Sequence, residues 1–307
     1  MSMTYTTKSD HSAAPAVVIE DLTVILGTVT AVNRLSLEVP RGRVMALLGP
    51  NGAGKTTTVS VLATLRRPSA GRVLVAGHDV AADPAAVRRV IGVTGQETSV
   101  DDRLTGRENL RLMARLAHVP RRRVRQVADE ALERFSLTEA ADRWVGTWSG
   151  GMRRRLDLAI SLLGDPELLL LDEPTTGLDP RSRQEVWDRV RQVTARGTTV
   201  LLTTQYLEEA DQLAQTVALI DHGRLVALGS AAELKQRVGR AHVEARGADG
   251  APRSLPTTGT VGDLRRLLTS PELADDSPVT LRQPTLDDVF LTLTGQAATT
   301  TPEEVPA

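Results

Sequence analysis

Cysteine is absent from this chain, which excludes a disulfide framework, a thiol nucleophile and any thiolate-held metal. A surplus of either charge is missing as well. Lys and Arg number 37 against 38 Asp and Glu, a formal net charge of -1. Without a basic excess, nucleic acid is not expected as a partner. Long hydrophobic runs are lacking too: the Leu168-Leu169-Leu170-Leu171 stretch stops at Asp172, far short of a membrane span. Residues 1–14 are polar and Thr/Ser-rich and lack the basic and apolar regions of a signal peptide. The chain is therefore expected to be soluble and cytoplasmic, with any membrane role exercised through a partner.

What is present starts with Gly49, Pro50, Asn51, Gly52, Ala53, Gly54, Lys55 and Thr56, which satisfy the phosphate-binding P-loop spacing at every required position. The apolar run Arg43–Leu48 before it reads as a buried strand, and the segment from Thr57 to Leu62 reads as the first turns of a helix. That strand–loop–helix setting separates a phosphate site from an ordinary Gly-rich turn. Glycines let successive N–H groups face one concavity at the positive end of a helix. Lys55 adds a full charge toward the outer phosphates, and the Thr56 hydroxyl suits Mg²⁺. The reading is a nucleoside triphosphate site, with Thr57 counted among its residues.

Around this loop the pattern alternates. Strands are expected at Val17–Ile25, Leu35–Val39, Val73–Gly77, Val90–Thr94, Leu168–Leu171 and Thr199–Thr203, with a helix from Ser182 to Thr194. Near-continuous apolar strands alternating with helices predict an α/β fold with a largely parallel sheet covered on both faces. A mostly helical insert interrupts it. Leu110, Met113, Leu116 and Ala117 are spaced to share one helical face, followed by Val124, Val127, Ala131 and Leu132. Past residue 240 the composition shifts. Val261–Leu268 reads as a short amphipathic helix, and Thr285 followed by Asp288 reads as a capping box opening another. The expected organisation is a disordered 1–15, a main domain at 16–240 with a helical subdomain at about 97–160, a small α+β accessory domain at 241–295, and a disordered tail at 296–307.

The second acidic element decides among P-loop enzymes. Leu168–Leu171 runs into Asp172-Glu173-Pro174, putting two acids at the carboxyl end of a buried strand, where open α/β sheets bind ligands. Asp172 suits Mg²⁺ through its water shell, and Glu173 can orient or deprotonate an attacking water. Ser149-Gly150-Gly151-Met152 reads as a helix start capped by Ser149, with bare N–H groups able to meet an anion. Arg153–Arg155 follow and fit an exposed helix face.

Taken in order, Gly49–Thr56, Gln96, Ser149–Met152, Asp172-Glu173 and Gly177-Leu178-Asp179 resemble an ABC-transporter nucleotide-binding subunit over about residues 16–240. The segments Trp148–Ala159, Thr203–Asp211 and Thr285–Gly295 are similar to the daunorubicin-resistance exporter ATPases. The resemblance implies an ABC-type P-loop fold and a head-to-tail dimer. Each ATP, with Mg²⁺, would lie between one subunit's P-loop and the other's Ser149–Met152. Gln96 would sense Mg²⁺ and water, and Asp179 would reach across the dimer. An integral membrane permease would be the further partner, placing the chain at the cytoplasmic face of the membrane as the ATP-hydrolysing subunit of a drug exporter. A soluble ATPase or nucleotide switch uncoupled from transport is the alternative.

Two positions depart from that pattern. Gln205 stands where many relatives carry a histidine against the γ-phosphate; an amide can donate there but cannot carry a charge. The other reading is that Gln205 merely begins a helix. Leu26 stands where an aromatic would stack on the base, and residues 16–34 contain no aromatic. Leu26 is then an apolar base contact or simply core.

Overall fold

The computed structural model describes residues 14–95, 99–239, 241–247, 250–270, 273 and 278–294. The segments expected to be disordered, 1–15 and 296–307, lie outside these apart from residues 14 and 15.

The chain opens with β1 (Val17–Leu26) and β2 (Val29–Val39), then β3 (Val44–Leu48) and α1 (Lys55–Leu62). Next come β4 (Ala70–Val75), β5 (His78–Asp79), α2 (Pro84–Val90) and β6 (Ile91–Thr94). The insert supplies α3 (Gly106–Leu116), α4 (Val124–Arg134) and α5 (Gly150–Ser161). The core resumes with β7 (Leu168–Asp172), α6 (Pro180–Thr194), β8 (Thr199–Thr204), α7 (Leu207–Leu213), β9 (Thr216–Asp221), β10 (Arg224–Gly229) and α8 (Ala231–Val238). Last come β11 (His242–Arg246), β12 (Pro252–Pro256), α9 (Val261–Leu268), β13 (Thr280–Arg282) and α10 (Leu286–Thr294).

The six-stranded sheet has the order β10-β9-β3-β8-β7-β6. Its last five strands run parallel, and β10 pairs antiparallel with β9 at one edge. β3, β7 and β8 are buried along their whole length, and side chains alternate between two cores as a pleat requires. Met45, Leu47, Leu168, Leu170 and Leu201 join β1, β2, β4 and α1 in one cluster. Val44, Ala46, Leu48, Leu169, Leu171 and Leu202 join the helices on the other face. An antiparallel sheet of order β2-β1-β4-β5 closes the first cluster, so α1 lies between two sheets. Strand Val73–Gly77 of the sequence reading therefore sits, as β4, in this second sheet.

The insert corrects one stripe. Leu110 is buried, but Leu116 is 64% exposed and Ala117 only caps the helix end. The buried residues are Gly106, Asn109, Leu110 and Ala114, with Met113 partly buried against the same core, so the packed face lies nearer the start of the helix than expected, and Gly106 there fits under the Trp148 ring. A Cβ at 106 would lie 2.4 Å from that ring. Helix α6 also starts earlier than read: Asp179 caps it and Pro180 occupies its first turn, the position where a missing N–H costs nothing.

The C-terminal elements form a three-stranded antiparallel sheet, β12-β11-β13, with α9 and α10. Thr285 and Asp288 make the expected reciprocal cap of α10, with bonds of 2.8 and 3.2 Å. Leu286 and Val289 of that helix share a buried cluster with Leu213 and Leu234, so α10 packs back onto the main core.

Candidate active site

Four parallel strands deliver the candidate residues from their carboxyl ends. β3 runs into Gly49, β7 ends at Asp172, β8 leads to Gln205 and β9 to His222. In the loop after β3, Gly54 has φ 99, and a Cβ there would sit 2.4 Å from the Ala31 carbonyl oxygen. At Gly49 a Cβ would come within 2.2 Å of the Ile220 carbonyl oxygen. Both glycines are required by close backbone approach, not merely by turn preference.

Lys55 is 4% exposed. Its Nζ donates to the carbonyls of Gly49 at 2.7 Å and Pro50 at 3.0 Å, and lies 3.6 Å from Glu173 Oε1. Burial lowers its pKa, and the neighbouring Glu173 and Asp172 carboxylates oppose that shift. Thr56 Oγ1 donates to Asp172 Oδ1 at 3.2 Å. Glu173 has φ 49, a left-handed backbone that residues with a side chain rarely adopt. Its N–H is held by the Thr203 carbonyl at 3.2 Å, and its Oε2 accepts from Thr176 Oγ1 at 3.3 Å.

Lys55, Thr56, Thr57, Glu173, Thr176 and Gln205 line one cleft of about 730 Å³, together with Asn51, Gly52, Gly54 and, toward its other end, Leu26, Val29, Thr30, Ala31 and His222. Gln205 is thus a wall of the cleft and not merely a helix lead-in, since α7 begins at Leu207. Leu26 is half-buried in the same wall. Pro50 contributes a carbonyl, and Ala53 is buried behind the loop.

Ser149, Gly150, Gly151, Met152 and Asp179 are not among the residues lining this cleft. Ser149 caps α5, accepting from the Met152 N–H at 3.3 Å, and Ser149 and Gly150 are exposed. Gly151 is buried against α6, where a Cβ would lie 2.4 Å from Ser182 Oγ. Ser182 in turn bonds Asp179 through both its N–H and its hydroxyl. Gln96 lies outside the described residues.

The run Arg153–Arg155 is a correction. Arg154 is 5% exposed rather than on a solvated face. Its guanidinium donates to the carbonyls of Pro174 at 2.8 Å, Gly95 at 2.7 Å and Asp172 at 3.2 Å, and pairs with Asp157 at 3.3 Å. Asp157 also accepts from the Ser99 N–H at 2.9 Å. One buried pair on α5 thereby holds the chain on either side of residues 96–98 and the backbone that carries Asp172. Burial lowers the Arg154 pKa and raises that of Asp157. Two further residues escaped the sequence reading. Thr203 Oγ1 bridges Asp172 and Glu173, and Glu209, fully buried, accepts from Thr175 and Trp187. A buried threonine at the carboxyl end of β8, and an acid four residues past Gln205 on the inward face of α7, were the available signals.

A glycine-cradled lysine at the end of a central parallel strand, with a strand two places along the same sheet running into two acids, defines a P-loop nucleotide-binding ATPase. The ABC transporter family matches residues 32–176. The daunorubicin resistance ATP-binding protein DrrA3 of Streptomyces coeruleorubidus is 52% identical over 292 residues, covering 88% of this chain and 92% of that protein. The daunorubicin/doxorubicin resistance ATP-binding protein DrrA of Streptomyces peucetius is 49% identical over 295 residues, covering 87% and 89%. A solved ATP-binding subunit of an ABC transporter, 26% identical, superposes with a TM-score of 0.65 over 72% of this chain and 92% of its own. The chain belongs to the ABC transporter ATP-binding family, as an ATPase subunit homologous to drug-resistance exporter ATPases. The alternative of an ATPase or switch uncoupled from transport is not favoured.

Proposed function

We propose that this chain is the MgATP-hydrolysing subunit of an exporter. Two copies close head to tail around two nucleotides and drive a separate membrane permease, at its cytoplasmic face, to expel a drug or other hydrophobic compound. The observation that carries this reading is a division of the site. Lys55, Glu173 and Gln205 line a cleft, while the Ser149–Gly150 helix start of the same chain is exposed elsewhere. A second copy related by a two-fold axis would bring that helix N-terminus to the open side of the phosphates. Among the described residues no helix is long and apolar enough to cross a membrane, which is compatible with a separate permease.

In this reading the loop N–H groups and Lys55 hold the phosphates, Glu173 orients and deprotonates water, and Gln205 donates to the γ-phosphate. Asp179 reaches toward the second copy. The facing oxygens of Thr56 and Asp172 are the hard, neutral-plus-anionic donor pair that suits Mg²⁺, which keeps several of its waters. Gln96 would be a further ligand. The ion would neutralise phosphate charge. The helices of 97–160 would pass domain closure to the permease, within a catalytic unit of 16–240 and an accessory unit of 241–295. Hydrolysis removes the γ-phosphate contacts and favours reopening.

The test is Glu173→Gln. Loss of turnover with accumulation of an ATP-bound dimer on size exclusion is expected. Retained turnover, or a variant that stays monomeric with saturating MgATP, would sink the proposal.

A further inference from the structure

The cleft has two ends, and strand order tells them apart. In the sheet, β8 and β7 lie on one side of β3 and β9 on the other. Glu173 and Gln205 therefore stand on one flank of the P-loop, with Lys55 reaching toward Glu173. His222, which follows β9, stands on the opposite flank with Leu26 and Val29. A nucleotide whose terminal phosphate faces Glu173 must run its nucleoside toward His222.

The turn that carries His222 is fastened in place. The Gly223 N–H donates to the Ala53 carbonyl of the P-loop at 3.1 Å, and the Gly223 carbonyl accepts from the Asn33 N–H at 2.8 Å. A Cβ at 223 would lie 2.7 Å from the Ala31 carbonyl oxygen. The β9–β10 hairpin tip is thus wedged between the phosphate loop and β2, and cannot swing from the cleft without breaking both bonds. His222 and Gly223 have φ values of 46 and 75, the paired left-handed conformation of a tight hairpin turn. Asn or Asp is favoured at the first of those positions. Here the chain holds an imidazole at positive φ, with 86% of its side chain exposed and its Nε2 3.8 Å from Asp221 Oδ2. Packing does not explain that ring, because it buries almost nothing.

We infer that His222 is a specificity-determining residue for the nucleotide: its ring stacks on the base at the end of the cleft where Leu26 offers only an aliphatic surface. A planar heteroaromatic against a purine supplies the stacking that Leu26 and Val29 cannot. The contact belongs to the nucleoside and not to the phosphates, so it separates binding of a base from binding of charge. This rests on the proposal that the cleft holds MgATP.

The experiment compares two ligands on the full chain by calorimetry at one mildly alkaline pH: MgATP and Mg-tripolyphosphate, which has the charge but no base. For His222→Ala, MgATP affinity is expected to fall about tenfold with tripolyphosphate affinity unchanged, and His222→Phe is expected to recover most of the loss. Unchanged MgATP affinity, an equal loss for both ligands, or a Phe variant as weak as the Ala variant would overturn the role of His222. Lys55→Ala separates the failures: it should weaken both ligands, and if it weakens neither, the underlying site reading fails whatever His222 does.

Discussion

Thr203 Oγ1 donates to Asp172 Oδ1 while accepting the Glu173 N–H at 3.0 Å, so a single hydroxyl on β8 sets two consecutive acids on β7. Thr203→Val keeps the shape and removes the hydroxyl. Asp172 then loses a buried donor, at a cost of about 1–3 kcal/mol in stability. Turnover is expected to fall while ATP affinity changes little, and the Mg²⁺ concentration for half-maximal rate is expected to rise. Steady-state rates across a Mg²⁺ titration check this; an unchanged Mg²⁺ dependence would argue that Asp172 is oriented by something else.

Gln205 shares the cleft wall with Glu173 and Thr176. Truncation to Ala removes a neutral donor near the expected γ-phosphate. The loss in kcat should be about tenfold or more, with a smaller effect on KM. Gln205→His would put a titratable group there, so its rate should acquire a further pH dependence near neutrality on top of the parent's own. Single-turnover rates across neutral pH decide it. If Gln205→Ala turns over normally, the side chain is only a wall.

Why some of this was readable in the sequence and some was not follows from the range of each contact. The P-loop and its strand, the Ser149 cap and the Thr285–Asp288 box are made within a few residues, and their spacing is their geometry. The two-faced burial of β3 and β7 was legible from uninterrupted apolar runs. Arg154 was misread because its partners, Gly95, Asp172 and Pro174, lie far off in sequence, and a triplet of arginines looks solvated. Leu116 was misread because three- and four-residue spacings are both helical, and only the packed neighbours show which of them ends in solvent. Thr203, Glu209 and His222 gain meaning only when separate strands bring them to Asp172, Thr175 and the P-loop.

Arg154 has a consequence for stability. Its fork satisfies three carbonyls and Asp157 at once, and a lysine ammonium cannot match that planar spread. Arg154→Lys is expected to destabilise the fold and to lower turnover. Arg154→Leu should do worse, by about 3–5 kcal/mol, because it strands Asp157 in the interior. The double change Arg154→Leu with Asp157→Leu should recover only the part of the stability lost to the unpaired carboxylate, since the carbonyls of Gly95, Asp172 and Pro174 and the Ser99 N–H still lose their partners, and it should not recover the rate. Chemical denaturation alongside activity separates the two effects.

Gly151 and Ser182 form another testable pair. A Cβ at 151 would lie 2.4 Å from Ser182 Oγ and 2.8 Å from its Cβ, so Gly151→Ala must push Ser182 away from Asp179. A loss of about 1–3 kcal/mol is expected from overpacking. Adding Ser182→Gly should restore part of the melting temperature by opening the space. No recovery in the double variant would place the cost of Gly151→Ala elsewhere.

Glu209 carries the pH prediction. Its Oε1 accepts from Thr175 Oγ1 at 2.8 Å and Trp187 Nε1 at 3.0 Å, while Oε2 has no partner among the described residues. Burial raises its pKa; the nearby Thr204 hydroxyl, the bonds from Thr175 and Trp187, and the charge of Arg183 work against the rise. A carboxyl with a folded pKa above its unfolded one binds its proton more tightly in the folded state. Its stabilising contribution is complete below the ordinary glutamate range and is lost as pH rises through the folded value. Glu209→Gln keeps an acceptor at Oε1 and cannot ionise, so the variant escapes that loss. Its melting temperature relative to the parent is therefore expected to climb as pH is raised from acid to neutral. Any fixed cost of fitting the amide cancels, because it is the same at every pH. A difference that stays flat would mean that folding leaves the Glu209 pKa unshifted, and one that falls toward neutrality would mean that its hydrogen-bonding neighbours and the Arg183 charge outweigh burial.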